Sequence, residues 1–349
     1  MDSALKRANH EVIYRRQTLR ELGVLRYAYA LRMILSAYWV YRRSAWLLMD
    51  RTRAAFVARS RVNARLVQQN PEVDAVILIA SNSGYEPPLG PGRPQLLIYM
   101  DHGNLLSKAL APRGFSLEES KIYPVWNSLE RRALRMQDRI LVMGKLVKPA
   151  LEAAYGLQPE KVRAVGAGPG LDADIERDRG SKDPLNRTIL FVGKLAPVKG
   201  LAILLQAFAR VRNAYPDATL HVVTPSAVAA PGVVPHKQLE EGELKKLFYS
   251  CCIFAMPAFK EPLGLVFVEA MWSKCACVGT TTGSMPELIE DGVTGYLVEP
   301  GDAAALADRL MTLLADPEKT RIMGERGYAA AQRYWNWDAV VARMFGEKD

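Results

Sequence analysis

From residue 73 onward the chain is dominated by short apolar runs alternating with helical patterns, in two separate series. The first series has strand-like runs at 73–80 (VDAVILIA), 95–100 (QLLIYM) and 139–143 (RILVM), and a last one within KVRAVGAG at 161–168. Helical patterns fall over 118–136 and 146–155. The second series opens with RTILFVG (187–193), followed by a helix over 199–214 and the strand ATLHVV (218–223). A Pro/Ala/Gly-rich loop is expected over 224–236, a helix over 240–250 and a strand in CIFAMP. EPLGLVFVEAMW then turns into a helix, and CACVG, MPELIEDG, GYLVEP and 302–315 read as strand, helix, strand and helix. Such alternation specifies parallel sheets wrapped by helices.

Between the two series lies DADIERDRGSKDPLN (172–186), polar and nearly free of aliphatics, the expected linker. A length of 349 residues also suits two domains better than one core. The fold class expected is α/β, with two doubly wound Rossmann-like domains facing a cleft and ligands at the carboxyl ends of the strands. The expected division is 1–180, 181–335 and a terminal helix over 336–349.

Charge is distributed unevenly. Residues 1–70 hold fourteen Lys/Arg against four Asp/Glu, a net of +10, so with +9 overall the remaining 279 residues sum to −1. The stretch 24–67 has no Gly or Pro and reads as helix, mixing Tyr38, Trp39 and Trp46 with Arg32, Arg42, Arg43 and Arg59. Snorkelling cations beside interfacial aromatics suit an anionic membrane surface. A solvated basic face over an ordinary core stripe gives the same pattern. Nucleic acid is a weaker partner, because no recognised motif or base-stacking pattern accompanies the charge.

No apolar run reaches the length of a membrane span, and the start MDSALKRANHEV lacks a secretion-signal pattern. An intracellular, cytoplasmic chain is expected, at most peripheral at the inner face of the membrane. Cys251, Cys252, Cys275 and Cys277 lie in apolar runs without CxxC spacing, so buried reduced thiols are expected rather than zinc.

Three tracts carry chemistry. In FVGKLAPVKG a strand runs into a turn at Gly193, and Lys194 and Lys199 flank the start of a helix. Two ammonium groups at a helix N-terminus can receive a diphosphate, although two solvated loop lysines have the same spacing. In EPLGLVFVEAM the chain breaks at Pro262–Gly264, so the amides of Gly264, Leu265 and Val266 can act as anion donors at a helix start. Glu269 sits one turn in, between Val268 and Ala270, where an ionised carboxylate is costly without donors. A ribose diol supplies such donors, and so would a neighbouring cation. Glu261, before a proline on a loop, could by composition be surface. In GTTTGSMPELIEDGVTGYLV, Ser284 and Glu287 have the spacing of a capping box. The glycines of VGAGPG (165–170) lack the amphipathic helix that a dinucleotide fingerprint needs next.

Together these tracts resemble retaining glycosyltransferases of the GT-B fold, in the large family numbered four, most closely over 187–340. FVGKLAPVKG is similar to that family's G-R-L-x-x-x-K-G element, with Lys194 where Arg is usual. EPLGLVFVEAM is similar to its E-x7-E signature, and GSMPELIEDGVTGYLVEPGD to its G-x-P-E tract. RYWNWDAVVARM resembles the C-terminal segment that crosses back onto the first domain. The resemblance implies a nucleoside-diphosphate sugar as donor, transfer of a hexosyl group with retention, and no metal or other cofactor. It implies that Lys194 and Lys199 neutralise the diphosphate, with Gly193 at their turn. Glu269 would hold the ribose. Glu261 would meet the donor sugar, aided by the Gly264, Leu265 and Val266 amides. His102 would face the transferred sugar. The acceptor is a glycan or a lipid-linked molecule, which suggests cell-envelope synthesis.

The family's usual opening strand and Gly-rich loop are missing before ALKRANHEV, and HVVTPSA replaces a usual G-x-G. A second reading is therefore a catalytically inactive nucleotide-sugar-binding or membrane-surface module.

Overall fold

The computed structural model describes residues 1–8, 53–79, 92–101, 122–170, 182, 185–194 and 196–346. The chain divides into two compact units, one spanning 9–165 and the other joining 166–349 to the first eight residues.

In the unit spanning 9–165 the described strands form one parallel sheet in the order β1 (Ala75–Ile79), β2 (Gln95–Met100), β3 (Arg139–Val142) and β4 (Val162–Ala164). Its described helices are α2 (Arg53–Gln68), α3 (Ile122–Met136) and α4 (Val147–Tyr155). Leu96, Ile98, Met100, Leu134, Ile140, Val142, Leu151 and Tyr155 make the core. Asp138 ties β2 to β3, taking both Arg93 guanidinium nitrogens at 2.6 and 2.7 Å and the Leu96 amide at 2.8 Å. The Arg93 hydrogen bonds, aided by that amide, hold the Asp138 carboxyl below its ordinary range. Of the basic segment 24–67, only the part within α2 is described. There Phe56 meets Trp126 edge to face and Arg59 lies over the same indole, with centroid distances of 6.3 and 5.9 Å.

The second unit has a six-stranded parallel sheet in the order β10-β9-β8-β5-β6-β7. Its strands are β5 (Thr188–Val192), β6 (Thr219–Val223), β7 (Val233–His236), β8 (Ile253–Ala255), β9 (Ala276–Thr280) and β10 (Gly295–Val298). Helices α5 (Leu201–Ala214), α6 (Glu241–Ser250), α7 (Leu265–Trp272), α8 (Met285–Leu288), α9 (Ala303–Ala315) and α10 (Pro317–Tyr334) connect and cover them. Phe191, Phe208, Phe248, Phe254 and Phe267 are fully buried around this sheet. The winding reverses between the paired strands β5 and β8, which makes their carboxyl ends the topological switch point.

Helices α1 (Asp2–Arg7) and α11 (Trp337–Phe345) pack together in this unit, with Ala4 and Leu5 buried and Arg7 Nε 2.9 Å from Asp338 Oδ1. The glycines of VGAGPG are explained by close packing in the same unit. A Cβ on Gly168 would lie 2.5 Å from the Trp337 ring, and one on Gly166 2.9 Å from Arg343.

Three local expectations are corrected. The loop expected over 224–236 contains β7, an edge strand that accommodates Pro235 because one of its sides carries no partner. The helix expected over 285–292 stops at Leu288. Ser284 occupies its N-cap position, but its side chain makes no capping bond. Its hydroxyl is fully buried without a hydrogen-bond partner. A capping box does exist elsewhere, at α6, between Glu240 and Glu243.

Candidate functional site

Three loops converge at the switch point, following β5, β8 and β9. The first is Gly193–Gly200. Gly193 closes β5, donating its amide to Val223 O at 3.0 Å. A Cβ there would lie 3.1 Å from Lys199 Cγ, so the bare backbone gives the Lys199 stem its place. Gly200 has φ +73° at the start of α5, and a Cβ would fall 1.9 Å from Pro257 O. Only glycine meets both demands.

The second loop, 258–264, is pinned to the first by the Phe259 amide, which donates to Val198 O at 2.9 Å. Gly264, with φ +89°, turns the chain into α7, and a Cβ would meet Met285 Cε at 2.4 Å. Glu261 is almost buried, and its Oε2 accepts from Lys199 Nζ at 2.6 Å. The pair bridges 62 positions of sequence and spans the β5–β8 reversal. Side-chain exposures of 21% for Lys199 and 10% for Glu261 make this a largely desolvated pair, much stronger than a surface one.

The third loop, 281–284, lies beneath the second. A Cβ on Gly283 would come 1.9 Å from Glu261 O, and the Ser284 amide donates to Pro262 O at 3.1 Å. Thr280 and Thr282 hydroxyls donate to Ala258 O at 2.7 and 3.3 Å. These contacts fix the backbone that carries Glu261.

Gly193, Lys199, Glu261 and Gly264 thus touch one another directly or through one neighbour. Lys194 is exposed beside them. Leu265 and Val266 form the first turn of α7, and Leu265 is 40% exposed. Glu269, one turn further along α7, is held instead by the Gly170 amide. A Cβ on Gly170 would lie 2.8 Å from Glu269 Oε1. Burial pushes the Glu269 carboxyl up to about 7, the Gly170 amide opposes the shift, and the charge of Glu241 adds to it. No cation offsets that burial among the causes acting on it. His102 lies outside the described residues.

Chemically, the site offers cations, near-buried carboxylates and the N-terminus of α7 at the carboxyl edge of a doubly wound sheet. This is the equipment for a phosphorylated, hydroxyl-rich ligand. Sequence reasoning missed the Lys199–Glu261 ion pair and the contact of Gly170 with Glu269. Both join residues far apart in the chain, and only the strand order brings them together.

Residues 186–316 match the family model described as glycosyl transferases group 1. D-inositol 3-phosphate glycosyltransferase of Corynebacterium glutamicum is 31% identical over 217 residues, covering 54% of this chain and 52% of that protein. Alpha-maltose-1-phosphate synthase of Mycolicibacterium smegmatis is 28% identical, covering 63% and 65%. The chain spans about half the length of the first of these relatives. Among solved structures, sucrose-phosphate synthase from Thermosynechococcus elongatus superimposes with a TM-score of 0.64 at 20% identity, covering 83% of this chain and 77% of that one. Anabaena HepE in complex with UDP and glucose does so with 0.61 at 21%, covering 81% and 79%. The chain carries a glycosyl transferases group 1 domain over 186–316, and its two parallel-sheet units have the fold of the GT-B glycosyltransferases.

Proposed function

We propose that this protein transfers a hexosyl group from a nucleoside-diphosphate sugar to a glycan or lipid-linked acceptor, with retention of anomeric configuration. The observation that carries this reading is the Lys199–Glu261 pair, 2.6 Å apart across the switch point and next to the N-terminus of α7. In the apo site each charge compensates the other. An arriving diphosphate draws the Lys199 ammonium, and the exposed Lys194 joins it. Glu261 is then left to accept hydrogen bonds from the donor sugar, while the amides from Gly264 to Val266 face the phosphates. Glu269 accepts the ribose hydroxyls on whichever lone pairs the Gly170 amide leaves open.

As the glycosidic bond lengthens, charge grows on the leaving diphosphate. The two ammonium groups and the α7 N-terminus stabilise it electrostatically. The departing phosphate oxygen takes the acceptor proton on the same face, so the new bond keeps the old configuration. Because lysines do the neutralising, we expect activity to survive chelation of divalent metals. His102 enters this scheme by family resemblance alone, as a contact to the transferred sugar.

Support for the donor class comes from relatives named as glycosyltransferases and from Anabaena HepE, which was crystallised with UDP-glucose. Cell-envelope synthesis at the cytoplasmic face of a membrane fits the basic segment 24–67, which would rest on anionic headgroups. Among the described residues no helix is long and apolar enough to cross a bilayer. A panel of UDP-, GDP- and ADP-sugars, read by melting temperature and by release of nucleoside diphosphate, tests the reading. Binding without release in the presence of any acceptor favours the inactive nucleotide-sugar module instead. Salt-sensitive co-sedimentation with anionic liposomes tests the surface.

A further inference from the structure

At the amino-terminal edge of the same sheet, opposite the switch point, a lysine meets a cluster of thiols. Lys182 Nζ donates to Phe248 O at 3.0 Å and to Cys251 O at 2.5 Å, carbonyls at the C-terminal end of α6. A cation there suits the helix dipole. The same nitrogen lies 3.0 Å from Cys275 Sγ, a contact that capping a helix does not require. Cys275 is fully buried, immediately before β9, and its sulfur also lies 3.4 and 3.3 Å from those two carbonyls.

The neighbouring thiols differ. Burial, and then the charge on Cys275, pushes the Cys251 thiol up to about 12 and the Cys277 thiol well above its ordinary value. Among the described residues, Cys275 is the cysteine whose sulfur has an ammonium at hydrogen-bond distance. A cation is what favours a thiolate. Lys182 is half-buried, so it is the partner of that sulfur nearer to solvent.

We propose that Lys182 and Cys275 form an oxidative modification site, in which peroxide drives a covalent nitrogen–sulfur link between them. The Cys275 thiolate attacks one peroxide oxygen and the O–O bond breaks. Sulfur becomes a sulfenic acid, and hydroxide leaves. That hydroxide takes a proton from the Lys182 ammonium, giving water and a free amine. The amine nitrogen attacks sulfur, the S–N bond forms and the S–O bond breaks. The departing hydroxide takes one N–H proton as a second water. Thiolate, ammonium and peroxide thus become a sulfenamide and two waters, with sulfur giving up an electron pair and peroxide accepting it. Two equivalents of an external thiol reverse the link. The bond staples the segment ahead of β5 to the start of β9 and leaves the switch-point residues untouched.

Full-length protein treated with hydrogen peroxide and digested without reductant gives the test by mass spectrometry. The expected product is a linked pair of peptides holding Lys182 and Cys275, two hydrogens lighter than their sum and separated by dithiothreitol. Lys182→Arg keeps a cation at the helix end, and its digest is expected to lose the linked pair. Recovery of wild-type Cys275 as a free thiol, as unlinked sulfinic acid or in a disulfide with Cys251 overturns the proposal. The wild-type digest decides the matter even where the variant fails to fold.

Discussion

Glu269 shows at the scale of one residue how this site trades stability for chemistry. Its carboxyl titrates at about 7 against an ordinary 4.5, because burial penalises the ionised form. In that interval the folded chain binds a proton that the unfolded chain has released. Stability therefore falls as pH rises from 4.5 to about 7 and levels off above, by on the order of 3 kcal/mol at most. Glu269→Gln removes this cost, so its melting temperature at about pH 8 should exceed that of wild type, with the difference vanishing in acid. Ribose hydroxyls favour the ionised carboxylate, so affinity for a nucleotide sugar should weaken below pH ~7, approaching tenfold per pH unit. Titration calorimetry with UDP-glucose, whose diphosphate stays ionised in that range, reads this directly. A flat profile separates Glu269 from the ligand. The apolar surroundings of Glu269 are legible in VFVEAM, and hence so is its need for a partner. That Gly170 supplies the donor is not, because 99 positions separate the two.

Gly200 is the sharpest backbone constraint in the site. Positive φ and the approach of Pro257 O act on one atom. Gly200→Ala should cost about 3 kcal/mol or more, seen as a lower denaturation midpoint at an unchanged slope. A change below about 0.5 kcal/mol contradicts the geometry.

Elements were legible wherever apolar runs were bounded by turn residues. Strands at 95–100 and 188–192 and the helix at 201–214 fall within a residue or two of their expected limits. Strand β7 was not legible, because VVPH between Pro231 and Lys237 is short and carries a proline that only an edge position accepts. Ser284 misled for a different reason. Its spacing to Glu287 suits a cap, but the loop buries the hydroxyl beside the Glu261 backbone. Where a cap does form, it can be tested. Asp302 accepts the amides of Ala304 and Ala305 at 3.0 and 2.8 Å at the start of α9. Asp302→Ala should destabilise by about 1 kcal/mol in chemical denaturation. No loss means that solvent satisfies those amides equally well.

On the scale of the whole molecule, alternation alone gave two parallel α/β units. It could not give the membership of α1. The first eight residues belong to the unit containing 166–349 through burial of Ala4 and Leu5 and the Arg7–Asp338 pair. The switch-point residues sit wholly in that unit, so a bound nucleotide sugar stabilises it selectively. Calorimetry should show two transitions, with donor raising one and leaving the other in place. Equal shifts of both, or a single transition, contradict independent units.

The central claim is that Lys199, Glu261 and Glu269 form a sugar-nucleotide site. Titration calorimetry of UDP-, GDP- and ADP-sugars against wild type and Glu269→Ala tests it most directly. The account predicts that at least one donor binds, and that the substitution weakens that donor tenfold or more while the protein remains folded. If no donor binds wild type, or the bound donor holds the variant equally well, the site is not what it is taken to be here.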